Sequence, residues 1–191
     1  MALINGDESP LALFPGAVTA EACAALLAEA ASLPLTPGRV VDVGEQVERY
    51  VHTAFLPRDH WSAAIMASAA EQANADMGWA YDLQGLETLQ FSTYAPGDHH
   101  GWHMDTLSHG ALVRKLTVVV QLDDGDDYDG GDLELLRFGV ARAEAVELPR
   151  APMRQRGSVV VFPSFLLHQV TPVRRGQRRT LVAWFIGPRF R

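Results

Sequence analysis

The sequence predicts a mainly β chain with helices gathered at its N-terminal end. Three observations carry this. Two long windows of helix formers precede residue 80, short β-branched and aromatic runs parted by Gly, Pro and Asp follow Gly85, and no repeat, linker or low-complexity segment divides the 191 residues. Six or more strands in the C-terminal hundred residues imply two packed sheets, or a barrel, with the helices laid against one outer face.

The elements follow in order. FPGAVTAEACAALLAEAASLP, residues 14–34, offers Thr19 as an N-cap, a run of strong helix formers and a proline stop. Cys23 lies in this helix; as the single cysteine it forms no internal disulfide and reads as a small buried residue rather than a nucleophile. DHWSAAIMASAAEQANADM, residues 59–77, predicts a second helix with Asp59 as its cap and Trp61, Ile65 and Met66 at helical spacing. Residues 38–57 between them read as extended chain with a turn. Strands are then predicted in ETLQFSTY, RKLTVVVQL, GDLELLRF, AEAVEL, GSVVVFPS and RRTLVAWFIG.

Charge is divided unevenly. Residues 1–136 hold 5 basic and 21 acidic side chains, a net −16, whereas residues 137–191 hold 11 basic and 2 acidic, a net +9. An arginine-rich end could meet an anionic partner such as nucleic acid, but the simpler expectation is that the two parts fold against each other and compensate. No window approaches the roughly 20 apolar residues of a membrane span, and Asp7 and Glu8 stand where a secretory peptide would be basic and then apolar, so a cytoplasmic location is expected.

The chemistry concentrates in DHHGWHMDTLSHG, residues 98–110. In extended chain, residues i and i+2 point the same way, so His103 and Asp105 present an imidazole and a carboxylate together. Non-haem iron(II) in oxygenases is held by two histidines and one carboxylate on one face, with positions left open. A further histidine must come from elsewhere, and His168, which follows a hydrophobic strand and a Pro-Ser turn, is the best placed. His52 and His60 fall in the N-terminal helical region, while His99, His100 and His109 sit beside glycines in stretches that read as solvated loop or rim.

Beyond His168 the chain runs QVTPVRRGQRRTLVAWF. Here the sequence resembles the 2-oxoglutarate and Fe(II)-dependent dioxygenases, in their prolyl 4-hydroxylase-like branch: a His-x-Asp pair, a distal histidine some tens of residues on, and a basic residue about ten positions after that. His103, Asp105, His168 and Arg178 occupy those places. LQFSTYAPGDHHGWHMD and RKLTVVVQLDDGDDYDGGDLEL extend the likeness, which covers roughly residues 85–187. It implies a double-stranded β-helix, or jelly roll, supported by helices: a single domain over 1–191, with helical support over about 1–80 and a core over about 85–187.

The resemblance further implies Fe(II) held by His103, Asp105 and His168, and 2-oxoglutarate as co-substrate, decarboxylated to succinate while an unactivated C–H bond of an amino acid, peptide or protein side chain is hydroxylated, with prolyl substrates first. It implies O2 as the other co-substrate and brings ascorbate forward as a reductant. Arginine suits the far carboxylate of 2-oxoglutarate because its planar fork matches a carboxylate in two hydrogen bonds. Arg178 is the expected anchor, with Thr180 on the same strand face and Tyr94 reaching from across the barrel; a one-residue shift in register would substitute Arg179. Asp105 favours hydroxylation over halogenation, since halogenases have Gly or Ala at that place. Trp102 and Trp184 read as core. DDGDDYDGGD, residues 123–132, satisfies no frame of the EF-hand order and reads as an exposed hairpin loop. Two other readings stand beside this one: an oxidative demethylase of nucleic acid or a small molecule, disfavoured because no basic segment is interleaved with aromatics, and a jelly-roll binding module without turnover.

Overall fold

The computed structural model describes residues 10–38, 49–138, 143–145 and 148–190. Strand β1 (Ala12–Phe14) leads into helix α1 (Ala20–Ala30); then come the short strands β2 (Thr36–Pro37) and β3 (Arg49–Tyr50), strand β4 (His52–Leu56) and helix α2 (Ser62–Asp76). The strand-rich body follows as β5 (Gly85–Tyr94), β6 (His99–His103), β7 (Ser108–His109), β8 (Leu112–Gln121), β9 (Asp129–Gly130), β10 (Leu133–Phe138) and β11 (Ala143–Ala145). After the short helix α3 (Arg150–Arg154) the chain closes with β12 (Val159–Pro163), β13 (Leu167–Val170), β14 (Val173–Arg175) and β15 (Arg178–Pro188).

These strands make two larger antiparallel sheets and one small ribbon. The major sheet runs β1-β12-β8-β15-β5-β4-β2, with β7 joined to β8; the minor sheet runs β11-β10-β13-β6-β3; β14 pairs with β9. Expected strands at 87–94, 114–122, 131–138, 157–164 and 178–187 are all present, and the part of AEAVEL at 146–147 lies outside the described residues, as do 1–9 and 39–48. The sheets face each other without closing into a barrel.

Alternation of side chains decides what each sheet face meets. In β12, Val159 and Val161 face the helices, where they join Cys23 and Leu26 of α1 and Met66, Ala70 and Ala73 of α2. Val160 and Phe162 point the other way, against Leu135 of the minor sheet and Leu11 and Leu13. A strand buried on both faces needs an unbroken apolar run, which VVVF supplies. Burying Phe162 completely contributes about 1.5–3 kcal/mol. Strand β15 differs: Leu181, Ala183 and Phe185 take the helical side, leaving Arg178, Thr180 and Trp184 on the face turned to the minor sheet.

Three expectations are corrected here. Helix α2 begins at Ser62 and Asp59 does not cap it; the ring of His60 accepts from the Ser62 N–H at 3.3 Å and itself pairs with Glu29 of α1 at 2.6 Å. His52 lies on strand β4, not in a helical region. Run 123–132 is only partly exposed, for Asp123 and Tyr128 are each 2% exposed. The Thr19 cap of α1 is as expected, its hydroxyl accepting from the Ala22 N–H at 3.2 Å.

The uneven charge resolves into one seam. Arg179 grips the buried Asp123 carboxylate at 2.5 Å, Arg174 binds Asp129 at 2.8 Å, Arg154 binds Asp132 at 2.9 Å and Arg156 binds Asp127 at 3.3 Å. The acidic loop and the basic C-terminal part are therefore each other's counter-ions. No helix among the described residues is long and apolar enough to cross a membrane.

Candidate metal centre

His103 ends β6 and His168 lies on β13, directly opposite it in the antiparallel ladder. Between this pair and the next, Val170 with His100, the register slips: two steps along β13 match three along β6. An extra residue in one strand is a β-bulge, and it turns a residue that would face outward back to the inner side. His100 and His103 thereby share one face, their rings stacked at 3.5 Å with 19° between planes. His100 is thus part of this inner cluster rather than a solvated loop residue, and His99 is a strand residue whose ring lies 5.0 Å from that of Tyr50, tilted by 41°. The side chain of His109 lies outside the described residues.

Each of the two facing imidazoles is fixed by its own backbone. His103 Nδ1 meets the Gly101 carbonyl at 2.7 Å and His168 Nδ1 meets the Leu166 carbonyl at 2.8 Å. A carbonyl only accepts, so Nδ1 carries the proton in both rings and Nε2 presents its lone pair. Asp105 lies just past the end of β6, where its backbone N–H donates to the Ser164 carbonyl at 2.9 Å. Its Oδ1 is 3.6 Å from His103 Nε2 and its Oδ2 is 3.5 Å from His168 Nε2. One donor atom from each of the three lies within 4.8 Å of the others, the only such cluster among the described residues.

The electrostatics suit a cation. Burial works to raise the Asp105 carboxyl, yet His168 and His103 together overcome it and hold the group well below the usual carboxylate range. His103 is pushed down to about 4 by burial and then by the neighbouring His168, and burial pushes His100 down to about 2. The His103 ring therefore enters neutral, as metal ligation requires. Two imidazole nitrogens and one carboxylate are a donor set that fits iron(II), and the hydrogen bonds to Gly101 and Leu166 are the kind of support that keeps such rings aimed.

Sequence reasoning missed the residues that aim Asp105. The Thr117 hydroxyl on β8 donates to Asp105 Oδ2 at 2.9 Å and also bonds Ser164 Oγ at 3.0 Å. Arg114, paired with Glu87 at 2.7 Å, lies 4.1 Å over the ring of Trp184, which is buried on the inner face. A threonine on an apolar strand gives no signal of this kind; only its inward phase on β8, shared with Val119 and Gln121, could have raised the question.

At the near end of β15, Arg178, Thr180 and Tyr94 come together. They are 6%, 1% and 6% exposed, and the Arg178 guanidinium is 5.6 Å from the Tyr94 ring centre. Tyr94 is Arg178's ladder neighbour on β5, so it approaches from the adjacent strand and not from across the sheets. Arg178 Nε donates to Gln121 Oε1 at 3.2 Å, whereas Arg179 turns outward to Asp123.

Comparison with known proteins agrees with this geometry. Residues 89–186 match the model of the 2OG-Fe(II) oxygenase superfamily. The chain is 34% identical over 153 residues to a PKHD-type hydroxylase of Synechococcus elongatus, covering 78% of this chain and 64% of that protein. It is 30% identical over 160 residues to a PKHD-type hydroxylase of Sphingopyxis alaskensis, covering 81% and 69%. The chain thus spans a little under two thirds of the Synechococcus relative's length. A crystal structure of a Pseudomonas putida prolyl-4-hydroxylase superposes with a TM-score of 0.68 at 23% identity, covering 95% of this chain and 94% of that one, which shows the shared jelly-roll fold.

Proposed function

We propose, from the premise that this chain belongs to the 2OG-Fe(II) oxygenase superfamily, that it acts as an Fe(II)- and 2-oxoglutarate-dependent dioxygenase. It hydroxylates an unactivated C–H bond of an amino acid, peptide or protein side chain. The carrying observation is the cluster of His103, Asp105 and His168, with both Nε2 lone pairs freed by backbone hydrogen bonds. When bound, iron would couple the oxidative decarboxylation of 2-oxoglutarate by O2, giving succinate and carbon dioxide, to hydroxylation of the substrate, with one oxygen atom of O2 entering succinate and the other the substrate.

The chain's own residues do the rest. His103, Asp105 and His168 hold the metal on one side and leave the other side open. Arg178 receives the far carboxylate of 2-oxoglutarate in a charge-assisted, two-point contact, Thr180 adds a hydroxyl from the same strand face, and Tyr94 flanks the guanidinium. Gln121 and Val119, on the same inner face of β8, line the cavity beside Arg178. The relatives named above favour a prolyl-type substrate for this chain too, and a cytoplasmic location belongs to the same proposal.

A nucleic-acid demethylase is the weaker reading for a specific reason. The C-terminal arginines that suggested it are bound to the acidic loop. The test is a succinate-release screen over free proline, prolyl peptides, other amino acids, methylated single-stranded DNA and cell extract. Substrate-stimulated release from a prolyl peptide or free proline supports the proposal; release stimulated by methylated DNA alone contradicts it.

A further inference from the structure

The space beside Arg178 is floored by residues that the motif does not contain. A small cavity of about 20 Å³, enough for one water, is lined by Val119, Gln121, Tyr128, Gly131, Leu133 and Arg178 among others. Gln121 has a fixed sense: its Nε2 donates to the Asp123 carbonyl at 3.1 Å, so its Oε1 must face Arg178 Nε. Tyr128 is buried in the acidic loop, and burial raises its phenol while the nearby Arg178 and Arg154 guanidinia work against that rise.

The loop holds Tyr128 rigidly. Arg154 lies 4.1 Å over its ring and donates to the carbonyls of Gly125, Tyr128 and Gly130, at 2.8, 2.6 and 2.9 Å. Behind the loop, Gly176 sits so close that a Cβ there would come within 2.1 Å of the Asp127 carbonyl oxygen. Above, Gly131 gives the Arg178 stem room that a side chain would take: a Cβ on it would lie 3.0 Å from Arg178 Cδ and 3.6 Å from Tyr128 Cε2. Arg178 stem, Tyr128 phenol and Gln121 amide thus border one small space.

We propose that Tyr128, with Gln121, is a positioning residue that sets how deep the Arg178 guanidinium stands, and so selects the five-carbon 2-oxo diacid over its six-carbon homologue. This rests on the reading of Arg178 as the carboxylate anchor. A diacid longer by one methylene needs the guanidinium to retreat, and a floor with room for one water and a tyrosine wedged by Arg154 does not yield. Overpacking by one methylene against such a floor weakens binding by about 10–100-fold.

The test is calorimetric titration of 2-oxoglutarate and 2-oxoadipate into the Mn(II)-loaded protein without oxygen, with KM and kcat measured separately on the Fe(II) enzyme. The protein itself is expected to prefer 2-oxoglutarate at least tenfold. Tyr128→Leu narrows that preference several-fold or more without changing Mn(II) affinity. Tyr128→Phe, which retains every backbone contact to Arg154, keeps the length preference but weakens 2-oxoglutarate binding several-fold and raises KM more than it lowers kcat. If Tyr128→Leu does not fold, Gln121→Leu decides: it withdraws the acceptor of Arg178 Nε and is expected to narrow the length preference in the same way. Unchanged affinities for both diacids in the folded variants overturn the inference. Arg178→Ala is the control: if it binds 2-oxoglutarate as the parent does, the anchor reading itself has failed; if it loses 2-oxoglutarate while the Tyr128 variants behave like the parent, only this inference has.

Discussion

The metal centre and the floor beneath Arg178 differ in how their parts are held. At the candidate metal centre each imidazole is oriented by a carbonyl two residues earlier in the chain, so once β6 and β13 pair the two rings are already aimed. At the floor only the Gln121 amide is oriented locally, by the Asp123 carbonyl; Arg178 leans on Gln121, which lies 57 residues earlier, and Tyr128 is held by Arg154, 26 residues later. The candidate metal centre is therefore a local motif set on a sheet, whereas the proposed anchor is a product of the acidic and basic parts folding together. Damage should separate along the same line, with ligand changes removing the metal and seam changes loosening the anchor first.

The largest expected effect is at a ligand. His168→Ala leaves Asp105 and His103 without their third partner, and should abolish iron binding in equilibrium dialysis while the circular dichroism spectrum keeps its strand signal. Next comes the seam. Asp123→Ala removes the buried carboxylate that takes both the Arg179 side chain and its backbone N–H, the latter at 2.6 Å. It should cost about 1–3 kcal/mol in urea unfolding and weaken 2-oxoglutarate binding more than iron binding. Equal loss of both would erase the distinction between the two regions.

A smaller effect isolates the support of Asp105. Thr117→Val keeps the shape but withdraws the hydroxyl from Asp105 Oδ2, and iron affinity should fall about tenfold, with 2-oxoglutarate affinity of the loaded protein unchanged. The smallest effect near neutrality is in pH. In the metal-free protein His103 and His100 stay neutral well below the value at which the unfolded chain takes up its protons. The unfolded state then binds more protons, so stability falls as pH drops from about 6.5 toward 4. Saturating metal should steepen that fall, because protons then also compete with the ion.

Legibility in the sequence followed the same division. His103, Asp105, His168 and Arg178 stood out in the sequence because histidine, aspartate and arginine announce their chemistry, and the structure gathers the first three into one cluster and buries the fourth; β5, β8, β12 and β15 stood out because β-branched runs announce strands. HHGWH has no such run, so β6 read as loop, although ladder bonds to β13 and β3 hold it in the sheet. Its bulge, which brings His100 onto His103, exists only in the pairing of two strands. Asp59 looked like a helix cap, but the contact with Glu29 of α1 places the His60 ring there instead. Tyr128 was hidden in an acidic stretch that reads as solvated because its counter-ions lie 22 to 56 residues further along the chain.

The proposed activity requires that His103, Asp105 and His168 hold iron with an open side for 2-oxoglutarate. Adding Fe(II) and then 2-oxoglutarate to the protein without oxygen should give a weak visible charge-transfer band that is lost in Asp105→Ala and needs far more 2-oxoglutarate in Arg178→Ala. A folded, metal-stripped protein that gives no band, or one whose band survives Asp105→Ala unchanged, would contradict it.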